Sequence, residues 1–144
     1  MIHGQHATQP ELHGEALLLP LADDDDWPNA PVLEIGGTKL RRKSEFHVTL
    51  LGRTQLSTLR ERLGDARILQ LANGFDWQLQ RTGEGSVLAK CKPMGTASVA
   101  CTSVIERLHM PVFSAFRHAL SEAADVPIAD ALPHVTLYVA GDPD

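Results

Sequence analysis

The stretch Phe46-His47-Val48-Thr49-Leu50-Leu51 decides how this chain is read, because four of its residues return in the same order as His134-Val135-Thr136-Leu137. Side chains alternate along a strand, so in each copy histidine and threonine project to one face while valine and leucine project to the other. Each copy therefore packs two aliphatic side chains into a core and offers an imidazole and a hydroxyl on the opposite side, spaced about 7 Å along the strand. Gly52 closes the first copy and Pro133 precedes the second, as turn residues bounding strands do.

Working outward from these copies, short apolar runs at residues 15–21 and 32–35 read as strands. The acidic run Asp23-Asp24-Asp25-Asp26 between them, with Trp27-Pro28-Asn29-Ala30-Pro31, reads as a solvated loop. It lacks the alternate spacing and the glycine of a calcium-binding EF-hand loop. After Gly36-Gly37 comes a basic cluster, Lys39, Arg41, Arg42 and Lys43, read as a solvated edge from which one member can meet an anionic substrate. Residues 55–67 carry leucines at Leu56, Leu59 and Leu63, the spacing of an amphipathic helix, with Ser57 as its N-cap and Gly64 near its end.

Downstream, Phe75, Trp77 and Leu79 alternate with Asp76, Gln78 and Gln80 as in a half-buried strand. Thr82-Gly83-Glu84-Gly85 reads as the turn of a hairpin leading into residues 86–92, where Lys90 and Lys92 point to solvent or line a phosphate-binding concavity. Residues 99–104 read as a strand. Residues 111–124 read as a helix with Val112, Phe113, Phe116, Leu120 and Ala123 inward, broken by Pro127. A last strand spans residues 135–140. Strands precede, separate and follow two helices, which implies an α+β fold with two sheets or two lobes meeting near the middle.

A chain of 144 residues fits one domain, taken here as residues 15–140 between a flexible segment, 1–14, and a tail, 141–144. A hydrophobic fraction of 43% and a charged fraction of 22% argue against disorder. The net charge of −5 gives no global positive field to hold a long duplex, so any nucleic-acid partner is a terminus or a small nucleotide. Cys91 and Cys101 make no disulfide framework and are read as reduced strand residues. With no signal-like or membrane-length apolar run, a soluble, cytoplasmic protein is expected, and a monomer. His3, His6 and His13 are a candidate metal-ligating group, but a terminal segment gives them no fixed geometry, and no metal is expected.

Side by side, the two copies would present two histidines and two threonines to one space. One imidazole, neutral, can take a proton from attacking water, and the other, protonated, can give one to a departing oxygen. The ordinary histidine pKa of about 6.5 lets both forms exist near neutrality. Threonine hydroxyls can donate to the non-bridging phosphate oxygens on which charge builds. Tyr138 continues the His134, Thr136 face. It either stacks on a base or bonds the phosphate, or packs as an aromatic at the cleft rim.

The two HxTx copies, their flanking aliphatics and the glycine after the first resemble the two-histidine (2H) phosphoesterase superfamily, which includes the RNA 2′,3′-cyclic phosphodiesterases also called 2′,5′-RNA ligases. The stretch from Leu40 to Gly52 resembles the first motif region, and Leu132-Pro133-His134-Val135-Thr136-Leu137 the second. The resemblance implies a bilobal, pseudo-two-fold α+β fold with antiparallel sheets around a central cleft and helices outside. It also implies hydrolysis, without metal or other cofactor, of a 2′,3′-cyclic phosphate at an RNA terminus or on a nucleotide. His47 and His134 would be catalytic, and Thr49 and Thr136, with Tyr138, would bind substrate. The competing expectation is a silent module of the same fold that binds a nucleotide or RNA end without turnover.

Overall fold

In the computed structural model, which describes residues 5–6, 9–23, 27–94 and 97–141 (backbone alone for 5–6, 90–94 and 97–100), the aliphatic members of both repeats are sealed from water. Val48, Leu50 and Val135 are 0% exposed and Leu137 5%. The strands are β1 (Gln5–His6), β2 (Glu11–His13), β3 (Ala16–Leu21), β4 (Val32–Ile35), β5 (Thr38–Arg42), β6 (Phe46–Leu51), β7 (Gln78–Met94), β8 (Ala97–His109) and β9 (His134–Ala140). The helices are α1 (Arg53–Leu63), α2 (Asp65–Asn73) and α3 (Pro111–Ala124). Pairing is antiparallel throughout the described strands, in the order β1-β7-β8-β9-β6-β3-β2. The hairpin β4–β5 joins β9 through Arg41↔Val139 and Arg42↔Tyr138. The fold is thus α+β on an antiparallel sheet, and the two motif strands, β6 and β9, are neighbours at its centre.

The three helices pack on one another and share a core with the aliphatic face of these strands. Leu56 and Leu59 of α1, Ile68 and Ala72 of α2, and Phe113, Phe116 and Leu120 of α3 are all buried there. Phe75, Trp77 and Phe116 meet edge to face or tilted, with ring centroids 5.2–6.0 Å apart. None of the helices among the described residues is long and apolar enough to cross a membrane.

Several local expectations change. Residues 11–13, assigned to a flexible terminus, form β2, which folds back on β3 through Gly14, whose φ of 57° suits a tight reversal. Gly36-Gly37, with φ of 55° and 81°, closes a two-residue hairpin of the kind that needs positive φ at both positions. The basic cluster after it is therefore mostly a strand, β5.

The helix expected at 55–67 is two helices. Gly64 sits at φ 80°, ψ 158°, a conformation that ends α1 and starts α2 and that only glycine adopts readily. Ser57 is not the N-cap; α1 begins after Gly52, and no side chain caps it. On α3 the inward alanine is Ala124 rather than Ala123, four residues after Leu120 on the stripe of Phe113, Phe116, Arg117 and Leu120.

Thr82-Gly83-Glu84-Gly85 is not a hairpin turn. The strand runs through it, and the three residues between Arg81 and Gly85 face the single Arg107 between Leu108 and Glu106, making a bulge. Its turn chemistry serves the bulge: Gly83 has φ 77°, Glu84 N–H donates to Thr82 Oγ1 at 3.0 Å, and Thr82 Oγ1 donates to the Arg107 carbonyl at 2.7 Å. β7 and β8 stay paired as far as Met94↔Ala97. Cys101 is buried on β8. Asp24, Asp25, Asp26, the tail after Gly141, and the side chains of His6, Lys90, Cys91 and Lys92 lie outside the described residues, as does His3.

Candidate active site

β6 and β9 meet at one register pair, Val48↔Val135, with both side chains buried on the core face. One residue to either side, the chain alternates to the opposite face. A step back along β6 and a step on along β9 bring His47 opposite Thr136; the reverse steps bring Thr49 opposite His134. Facing side chains in an antiparallel pair have β-carbons about 4.5–5.5 Å apart and diagonal neighbours about 7–8 Å. The two histidines are such diagonal neighbours, and so are the two threonines. His47, His134 and Thr136 are half-buried and Thr49 is exposed, so all four reach solvent from one face of the sheet.

The outer neighbours complete two rows. On the β3 side, Pro20 pairs with His47 and Leu18 with Thr49; on the β8 side, Ile105 pairs with Thr136 and Arg107 with His134. The rows therefore read Pro20, His47, Thr136, Ile105 and Leu18, Thr49, His134, Arg107. The His134 ring sets Nδ1 at 3.4 Å from the Leu132 carbonyl. A carbonyl only accepts, so this contact favours the proton on Nδ1 and leaves Nε2 for the cleft.

A groove of about 730 Å³ opens beside His47, and its lining includes Leu18, Pro20, Lys43, Glu45 and Glu11. Of the basic cluster, Lys43 is the member that lines this groove, while Lys39 and Arg41 are exposed. Arg42 is committed elsewhere. Its guanidinium grips both carboxylate oxygens of Asp23 at 2.7 and 3.2 Å, donates from Nε to the Pro28 carbonyl at 2.6 Å, and lies 4.7 Å from the Phe46 ring centroid. That hydrogen bond lowers the Asp23 pKa and raises that of Arg42. Arg42 thus joins Asp23 and Pro28 to β5.

Tyr138 does not line the cleft. It is 3% exposed, and its hydroxyl donates to the Ala30 carbonyl at 2.8 Å. The β8–β9 register shifts between Val104, paired with Tyr138, and Ile105, paired with Thr136, so strict alternation from His134 and Thr136 ends before Tyr138, which turns away from their face and packs in the core. Of the candidate metal group, only the His13 side chain is described; it contacts Glu11 at 3.3 Å, and no cluster of three metal-ligating side chains occurs among the described residues.

Two buried charged residues escaped the sequence reading: Glu106, whose two oxygens accept from Arg81 at 2.6 and 2.7 Å, and Arg117. Arg117, 7% exposed, donates to the Leu50 carbonyl at 3.0 Å, to Gln55 Oε1 at 3.1 Å and to the Ala129 carbonyl at 2.6 Å. It thereby ties the end of the first motif strand to α1 and to the segment that leads to the second motif. Burial lowers its pKa, an effect that Asp130 opposes. The signal was present: Arg117 falls one turn from Phe113 and three residues before Leu120, on the apolar stripe of α3. A second cavity of about 400 Å³, beside Arg117, His118 and Asp130, shares no residue with the groove at His47.

Comparison of the chain with family models, with curated proteins and with solved structures finds no match. The site is therefore defined by its own geometry: two imidazoles and two hydroxyls on the open face of two central, adjacent strands.

Proposed function

We propose that the protein is a metal-independent phosphodiesterase of the two-histidine type, acting on a 2′,3′-cyclic phosphate of an RNA terminus or nucleotide, or on a related phosphodiester. The observation that carries this reading is the Val48↔Val135 pair, because it sets His47, Thr49, His134 and Thr136 on one face as two crossed His–Thr pairs. In this reading one imidazole takes a proton from water as the water oxygen bonds to phosphorus. The other gives a proton to the ribose oxygen as its bond to phosphorus breaks. Thr49 and Thr136 donate to the non-bridging oxygens, where charge accumulates. A diagonal spacing of about 7–8 Å between β-carbons leaves room for one phosphoryl group between the rings.

The same pair supports a pseudo-two-fold, bilobal arrangement: each motif strand has its copy on one side and a strand of its own half, β3 or β8, on the other. The negative net charge and the acidic groups Glu11 and Glu45 along the groove favour a terminus or a small nucleotide over a long strand. The burial of Tyr138 favours the second reading, a module that holds a phosphorylated ligand without turnover, because it removes a base-stacking group from the face. Purified protein assayed in EDTA over a panel of cyclic and linear phosphodiesters separates the two. Turnover lost in His47→Ala and His134→Ala supports the enzyme; tight nucleotide binding with no turnover on any member overturns it.

A further inference from the structure

We propose that Arg107 is a phosphate-binding residue of this cleft, holding non-bridging oxygens of the reacting group beside His134. The proposal rests on the phosphodiesterase reading for its role in turnover, though not for its role in binding phosphate. Arg107 pairs directly with His134 across β8 and β9, so the two side chains leave the same face with β-carbons about 5 Å apart. Its chain neighbours, Glu106 and Leu108, are each 5% exposed on the other face, while Arg107 itself is exposed.

Two further features set it apart. The bulge of β7 lies opposite this one residue, and Thr82 Oγ1 fixes its carbonyl, so the backbone that aims Arg107 is held from both sides of the strand. Five other arginines are engaged by carboxylates or carbonyls: Arg42 by Asp23, Arg53 by Glu15, Arg60 by Asp65, Arg81 by both oxygens of Glu106, and Arg117 by carbonyls. Among the described residues, the Arg107 guanidinium makes no ion pair or side-chain hydrogen bond. A planar donor fork beside a general acid or base suits two oxygens of one phosphate, which a point-charge cation does not match.

The cleft is then asymmetric. The His47 side opens into a groove of mixed lining, Leu18 and Pro20 with Glu11, Lys43 and Glu45, and the His134 side holds the reacting anion.

The test uses the intact protein with Arg107→Ala, Arg107→Lys and a control, Arg67→Ala, on the exposed face of α2. Two readouts are taken: kcat and KM on the best cyclic phosphate, and the ring resonances of His134 during titration with inorganic phosphate, which needs no turnover. Arg107→Ala is expected to lower kcat/KM on the order of 100-fold and weaken phosphate binding at least about tenfold, with partial recovery in Arg107→Lys and none of this in Arg67→Ala. Wild-type turnover with unchanged kcat/KM and unchanged phosphate titration in Arg107→Ala overturns the assignment and leaves the enzyme reading standing. A wild-type protein without turnover defeats the enzyme reading, and the phosphate titration alone then decides Arg107. A His134 ring indifferent to phosphate in a wild type that also lacks turnover overturns both.

Discussion

Val48 of β6 faces Val135 of β9 with neither side chain exposed to water, and this one buried pair determines which polar residues of the two motifs can meet. Had the register slipped by a single residue, every side chain of one motif would have turned to the other face.

Because the two imidazoles act on one phosphoryl group, each alone should be indispensable. His47→Ala and His134→Ala should each lower kcat by about 10²–10⁴-fold, and the double variant should be little worse than either. The pH profile of kcat/KM should be bell-shaped, since one ring must be neutral and the other protonated. Steady-state kinetics on a 2′,3′-cyclic nucleotide measures all three.

Tyr138→Phe removes a hydroxyl whose recorded partner is the Ala30 carbonyl. Thermal or denaturant unfolding should report a loss of about 1 kcal/mol, with kcat/KM close to wild type. A large fall in kcat/KM at unchanged stability would return the tyrosine to the cleft.

The Asp23 carboxylate titrates below its usual 3.8 because Arg42 hydrogen-bonds to its charged form. The sign follows from linkage: a depressed folded pKa contributes stability above pH 3.8 that is lost as pH falls through the folded value. Asp23→Asn should therefore melt below wild type at neutral pH, with the gap closing under acid. A gap that stays constant from neutrality to strong acid would refute the assignment.

Arg117→Met keeps the volume and removes the donors. It strands the Leu50 and Ala129 carbonyls, a loss of about 2–4 kcal/mol. Since Leu50 belongs to the first motif strand, activity should fall along with stability. Urea unfolding followed alongside turnover separates this from a purely catalytic loss, which would leave the midpoint unchanged.

Legibility along the chain follows the range of the interactions involved. β6 and α3 are legible at their true bounds and β9 to within one residue, because alternation and helical periodicity are local properties of consecutive side chains. The helix at 55–67 was read too long because Gly64 looks like an ordinary C-terminal glycine until its ψ of 158° turns the chain into α2. The bulge at Thr82-Gly83-Glu84 was mistaken for a hairpin because both use the same residues, and only the partner strand distinguishes them. Arg107 carries no local mark at all; its place beside His134 exists only through the β8–β9 register.

The chain alone determined the chemistry on offer: two copies of an imidazole and a hydroxyl on one side of a strand whose other side is aliphatic, since alternation needs nothing but consecutive residues. Only the tertiary structure decided that the copies are neighbours, that His47 crosses to Thr136 and His134 to Thr49, that Tyr138 is buried, and that Arg107 stands beside His134. Those relations come from strand pairing over long separations, where buried valines and the placing of a bulge, rather than any local preference, select the register.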